Sequence, residues 1–442
     1  MNERPHRIVL LILDGIGDQP YAELNELTPL EAALTPSLDA VAAAGANGFI
    51  YPLGPGRVPS SELAHFALFG YASEAFPGRS TLEAHAADIA LEPDQVVMYA
   101  ALRNVAERDG ALYLGNWYRE GEDDECRELL AGLVDFEHGG IGFVLRYLER
   151  GDSVLVLTGP ASEHVTDTDP FFATGLPILA PRALDEATDP EQAAVTAVAL
   201  GEFLRWSAPR LAAHPINHRR VLRGELPLNF LVTKWTGRNR RLRPFVELTG
   251  LAGATVASTS LYRGFATALG LRWYAAPNVE DAGADLDTKV TLALAALDDG
   301  AEFVHVHTKH VDEAGHTRDP RRKVAVIEQC DGPIGRLARE LDHRTDTVLA
   351  VTADHGTPCG GRLIHSGDSV PLAVMGGSVR VDDVGTFGER AATRGSIGQL
   401  RAGDVLPLLQ YFAGVARFRG ARPTSADNLG EPRSVVPFRL SP

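Results

Sequence analysis

Three apolar runs in this chain each lead into aspartate, two of them with histidine beside it, and that recurrence restricts the fold more than any other feature. IVLLILDG at 8–15 stops at Asp14, and DTVLAVTADHG at 346–356 stops at Asp354 and His355. The third, AEFVHVHT at 301–308, runs into KHVDEAGH, where Asp312 and His316 lie four residues apart. On a helical turn such a pair projects from one face. Short continuous apolar runs read as buried strands. A sheet of such strands carries its functional residues at their carboxyl ends. With His365, the set holds three carboxylates and three histidines. Oxygen and nitrogen donors of this kind suit Mn²⁺ or Zn²⁺, and six ligands suffice for two ions.

The flanking pattern supports an α/β fold with a mainly parallel sheet covered by helices. TPSLDAVAAAGA (35–46) opens a helix with threonine and proline, and DPRRKVAVIEQCDGPIGRLARELD (319–342) does so with aspartate and proline. GFIYPLGPGRVPSSELAHFALFGY (48–71) reads as a turn-rich loop entering a helix near Glu62. Helices are expected at PFVELTG (244–250) and YRGFATALG (262–270), with TVAST (255–259) as a strand between them. Residues 73–242 differ, reading as many short strands and loops; GDSVLVLTG (151–159) is one strand and VTDTDP (165–170) a polar turn after it. The expected organisation is a discontinuous catalytic core (1–72 and 243–442) with an inserted α/β domain (73–242). RSVVPFRLSP at the end reads as a surface tail.

Composition removes several classes of function. The 442 residues carry a net charge of −16, which argues against nucleic acid or an anionic membrane as partner. A phosphorylated substrate must then be drawn in by local cations. No apolar run reaches the roughly 18 residues that span a bilayer, and the N-terminal apolar stretch is too short for a signal peptide. Three cysteines without metal-site spacing fit a reducing compartment, so cytoplasm is the expected location.

A nucleophile candidate is Ser61 in RVPSSELAH, where a loop enters a helix and amide groups favour an anion. A divalent metal would make its alkoxide accessible at neutral pH. The residues alone leave a second reading open, in which Ser60 or Ser61 is only a helix cap. His305, His307 and His310 can likewise simply line a strand face.

LDGIGDQP, TPLEAALTPSLDAVAAAGANG, PSSELAHFALFGY, PGRSTLEA, VTDTDP, VHTKHVDEAGHTRDPRRKVAVIE, TADHGTP and HSGDSVP occur in that order between residues 11 and 371. In these segments the chain resembles the archaeal-type, cofactor-independent phosphoglycerate mutases of the alkaline phosphatase superfamily. The resemblance implies an alkaline-phosphatase-like core and two divalent ions, Mn²⁺ first, with Zn²⁺, Mg²⁺ or Co²⁺ as alternatives, and no organic cofactor. Asp312, His316 and His365 would hold one ion. Asp14, Asp354, His355 and the oxygen of Ser61 would hold the other. Ser61 would be phosphorylated by 3-phosphoglycerate and return the phosphate to the other hydroxyl as 2-phosphoglycerate. A sulfatase is excluded, since Ser61 is followed by Glu-Leu-Ala rather than x-Pro-x-Arg.

The same resemblance makes Asp167 or Asp169 the proton-moving carboxylate, with turn and cap roles as the alternative. Arg79 in PGRST and Lys309 match substrate-binding positions. Elsewhere the chain departs from the pattern: Met98 and Tyr99 stand for Phe-Arg, Thr158 for Arg, and Lys234 and Trp235 for Arg-Gly. Arg103, Arg146, Arg238 and Arg263 are possible substitutes for those arginines. Arginine and lysine differ at a bidentate site. An alternative function is therefore a related phosphohydrolase or phosphomutase acting on another small phosphate or phosphonate, and a further one is a catalytically silent homologue.

Overall fold

In the computed structural model, the described residues are 6–116, 122–170, 175–344, 346–418, 428–429 and 439–440. The terminal segment 433–442 therefore lies outside them, apart from 439–440. The chain divides into two compact units: Met1–Phe76, Arg243–Tyr262 and Leu269–Pro442 form one, and Pro77–Leu242 with Arg263–Ala268 form the other.

The first unit is built on an eight-stranded sheet. Its strand order is Arg272–Ala275, Gly253–Ala257, Phe303–Thr308, Arg7–Leu13, Thr347–Thr352, Val370–Gly376, Gly45–Tyr51 and Gly398–Arg401. The first five run parallel, and Val370–Gly376 is antiparallel to both of its neighbours. Arg7–Leu13 sits at the centre between Phe303–Thr308 and Thr347–Thr352. Ile8 to Ile12 have no exposed surface, as expected of a strand buried on both faces. The three apolar runs of the sequence are thus three adjacent parallel strands, and their carboxyl ends lie side by side.

Helices Pro36–Ala43, Ala282–Asp298, His310–His316 and Pro320–Asp342 pack together as one layer, while Ser61–Leu68 and Ala402–Phe412 pack on each other. The strand Gly45–Tyr51 overlaps the end of the stretch read as helix (35–46) and the start of the one read as loop (48–71). Gly45 begins it because any side chain there would meet the Val374 carbonyl, 2.2 Å from its Cβ position.

The second unit carries an antiparallel six-stranded sheet of order Ala111–Asn116, Val96–Arg108, Asp152–Thr158, Ile141–Tyr147 and Phe136–His138, with Phe230–Arg238 paired to Val96–Arg108. The reading as short strands and loops needs correction. Val96–Arg108 has 13 residues, and Pro190–Ala212 is a 23-residue helix capped by Asp189. Its apolar Ala197, Leu200, Phe203 and Leu204 are buried in this unit's core. The Asp-Pro start at 189–190 was the available signal. Among the described residues, no helix is long and apolar enough to cross a membrane. Cys126, Cys330 and Cys359 are buried free thiols.

Candidate active site

Asp14 follows the central strand, and Gly15 turns the chain immediately after it. Gly15 has φ +66, and a Cβ there would lie 2.4 Å from Thr357 Oγ1 and 2.9 Å from the Asp312 backbone. Only glycine permits that approach, and it brings the loops after three strands into contact. Asp354 closes the same junction, its Oδ1 accepting the Gly15 N–H at 3.2 Å and the His355 N–H at 3.1 Å. Asp312 and His316 lie on the one-face helix His310–His316, with His316 Nε2 3.2 Å from Asp312 Oδ1.

Among the described residues two groups of metal-capable atoms result, each with its candidate ligand atoms within 4.8 Å of one another: Asp312, His316 and His365, and Asp14, Asp312 and His355. Asp312 therefore belongs to both, whereas the expectation gave it to one. Asp354 adjoins the second group, with Oδ2 3.3 Å from His355 Nε2.

Hydrogen bonds fix how the imidazoles face. Thr357 Oγ1 donates to Asp312 Oδ1 at 2.6 Å, so it accepts from His355 Nδ1 at 3.2 Å. His365 Nδ1 donates to the Pro59 carbonyl at 3.0 Å. Both rings then present a bare Nε2 inward, the form that ligates metal. Burial lowers the pKa of His355 to about 4 and, with His355 nearby, lowers that of His365, keeping both neutral.

The donor set fits a cation. Asp14 Oδ1 and Asp354 Oδ2 are buried without a hydrogen-bond partner. Burial first, and the neighbouring Asp354 and Asp312 charges next, push Asp14 well above the usual carboxylate range. Ionised carboxylates in such a site require compensating positive charge.

Ser60 is the helix cap, its Oγ accepting from Leu63 N at 3.4 Å. Ser61 is the first helical residue, and its Oγ lies 2.8 Å from His355 Nε2. The cap role thus falls to Ser60.

Behind these candidate ligands is a buried layer that the sequence did not reveal. His307 Nε2 lies 2.9 Å from Asp14 Oδ2 and 2.8 Å from the Tyr262 hydroxyl. His65 Nδ1 donates to the Ser61 carbonyl at 2.8 Å and lies 3.5 Å from Asp354 Oδ2. Lys323, fully buried, donates to Gly17 O, Thr357 O and Asp18 Oδ2 at 2.9 to 3.1 Å. His307 and Lys323 stood inside the quoted motifs, but a long-range contact leaves no mark in local spacing.

Lys309 is exposed at the start of the ligand-bearing helix, and its charge acts on Asp14. The remaining candidates lie in the second unit. Asp167 Oδ1 accepts the Trp235 N–H at 2.9 Å, and burial raises its pKa to about 6. Asp169 Oδ2 pairs with Lys234 Nζ at 3.1 Å. Arg79 and Lys234 both contact the Trp235 ring. Arg263 pairs instead with Asp88, Arg238 with Glu163, and Arg103 with Asp152.

The Metalloenzyme superfamily model matches residues 6–410. A Methanocaldococcus jannaschii 2,3-bisphosphoglycerate-independent phosphoglycerate mutase 2 is 35% identical over 437 residues, covering 96% of each chain. The chain belongs to this mutase family. Divalent metal dependence follows from the superfamily, and the family's members are isomerases. The corresponding mutase of Pyrococcus horikoshii is 34% identical over 408 residues, covering 91% of this chain and 95% of its own. A solved Pyrococcus horikoshii protein superposes with TM-score 0.75 at 31% identity, over 94% of this chain and all of that one. The cofactor-independent phosphoglycerate mutase of Thermoplasma acidophilum gives 0.63 at 28%, over 92% of this chain and 100% of its own.

Proposed function

We propose that this chain interconverts 3-phosphoglycerate and 2-phosphoglycerate in the cytoplasm, as a glycolytic step, through a phosphoserine at Ser61. The observation that carries the reading is the Ser61 hydroxyl 2.8 Å from His355 Nε2, at the rim of the carboxylate-rich groups. The names of the mutase relatives support the substrate and disfavour the phosphohydrolase alternative.

Asp312, His316 and His365 would hold one divalent ion, and Asp14, Asp354, His355 and Ser61 Oγ the other, with Asp312 adjoining both. Bound there, Mn²⁺ would supply the positive charge that favours the serine alkoxide and neutralises the phosphoryl oxygens. The protein's own groups do the rest. His307 and His65 orient Asp14 and Asp354. Ser61 Oγ attacks phosphorus and forms the phosphoserine while the substrate oxygen leaves. Asp167, with a pKa of about 6, gives a proton to the departing oxygen and takes one from the other hydroxyl. Arg79, Lys234 and Lys309 retain the glycerate carboxylate while it turns over.

Incubation with ³²P-labelled 3-phosphoglycerate and acid quenching tests this reading. The wild type should carry acid-stable label on Ser61. Ser61→Ala should carry none and lose at least ~10³-fold in kcat. Full turnover by Ser61→Ala would exclude the serine.

A further inference from the structure

Nine non-glycine residues among those described have positive φ, and Trp235, at 57°, is the aromatic one. A bulky side chain rarely occupies that region and stays there only when its surroundings hold it. The cause is a bulge between Val96–Arg108 and Phe230–Arg238. Val97 faces Gly237 and Tyr99 faces Lys234, so Trp235 and Thr236 together oppose Met98. Bulges with a left-handed first residue ordinarily place glycine there, and they re-aim side chains near functional sites.

Each part of Trp235 is engaged. Its N–H donates to Asp167 Oδ1 at 2.9 Å, and its carbonyl accepts from Ser80 Oγ at 2.6 Å. Its ring centre lies 4.0 Å from the Arg79 guanidinium carbon and 4.2 Å from Lys234 Nζ, with the Tyr99 ring at 5.2 Å. Each cation also has a carboxylate of its own: Glu83 lies 3.4 Å from Arg79, and Asp169 lies 3.1 Å from Lys234. Both cations lie within cation–π range of the one indole ring.

We propose that Trp235 is a positioning residue for substrate binding. Its ring gathers Arg79 and Lys234 into a compact patch beside Asp167, and the two side chains of that patch bind the carboxylate of the substrate. This deepens the mutase reading and rests on it. Glycine at 235 suits the bulge but removes the ring the two cations share, whereas phenylalanine keeps a ring in place.

The test compares wild type, Trp235→Gly and Trp235→Phe. Steady-state kinetics use 3-phosphoglycerate, and fluorescence titrations use D-glycerate, a carboxylate without phosphate. Trp235→Gly should fold, with KM raised about tenfold and the loss falling on KM rather than kcat. Trp235→Phe should return KM to within about threefold of wild type. Glycerate should change wild-type emission, and the change should vanish in Trp235→Phe, which keeps the other tryptophans. An unchanged KM in Trp235→Gly, or an emission change that persists in Trp235→Phe, overturns the proposal. Failure of the wild type to convert 3-phosphoglycerate would refute the mutase reading instead. The glycerate titration then decides alone: a signal lost in Trp235→Phe sustains the patch, and no signal refutes it.

Discussion

Asp167 and Asp169 stand two residues apart in VTDTDP, and their surroundings give them different chemistry. Asp169 is tied to a buried lysine at 3.1 Å. Asp167 is raised to about 6 by burial, against the Trp235 N–H and the Lys234 charge, which lower it. A group that must both give and take a proton works best with a pKa near the working pH. Asp167→Asn should therefore lower kcat by ~10²-fold or more with KM little changed, read in steady-state kinetics with 3-phosphoglycerate. An effect on KM alone would reassign it to binding. The candidate metal-binding residues were legible because strand ends and an i, i+4 pair leave a local pattern: Asp14, Asp312, His316, Asp354 and His355 all follow it. The sharing of Asp312 between two groups was not legible, since it depends on where side-chain atoms meet. His307 was discounted as a strand-face histidine and turned out to hold Asp14.

Elements position these residues through a few buried ties. Helix Pro320–Asp342 sends Lys323 beneath the loops that follow two strands, where it joins Gly17, Asp18 and Thr357. Those loops bear Asp14 and His355. Lys323→Met removes one partner of a buried ion pair whose side chains have no exposed surface, which should cost about 3–5 kcal/mol in urea unfolding. Calorimetry should show weaker Mn²⁺ binding by about 10–100-fold. Asp18→Asn added to Lys323→Met should recover part of the stability by removing the stranded charge. Unchanged Mn²⁺ affinity in Lys323→Met would show that the tie does not organise the ligands. The helix itself was readable from its Asp-Pro start and apolar spacing. Pro190–Ala212 had the same start signal, but its alanine-rich run, with valines exposed at 195 and 198, obscured the buried stripe.

At the scale of the whole molecule, Asp14, Ser61, Asp312, His316, Asp354, His355 and His365 belong to the first compact unit, and Asp167, Arg79 and Lys234 to the second. The parallel core was legible because three buried strands announce themselves by continuous apolar runs. The antiparallel sheet of the second unit was less so, since register and bulges arise from pairing across the chain. The core unit also carries a pH-dependent element away from the ligands. Glu389 accepts from Thr28 Oγ1 at 2.8 Å and from Asp18 N at 3.3 Å. Burial raises its pKa from the ordinary 4.5 to about 7. The folded state thus holds a proton that the unfolded state has lost, so this contribution is complete below about 4.5 and is lost as pH rises through about 7. Glu389→Gln should gain stability relative to wild type between pH 5 and 8, on the order of 3 kcal/mol at most. A pH-independent difference in urea midpoints would contradict that sign.

The central claim is that phosphate moves between the two hydroxyls of glycerate and is not released to water. Purified protein with Mn²⁺ and 3-phosphoglycerate, followed simultaneously for 2-phosphoglycerate and inorganic phosphate, tests it most directly. 2-Phosphoglycerate should approach equilibrium, with phosphate far below one equivalent per turnover. Phosphate without 2-phosphoglycerate, or neither product, would contradict it.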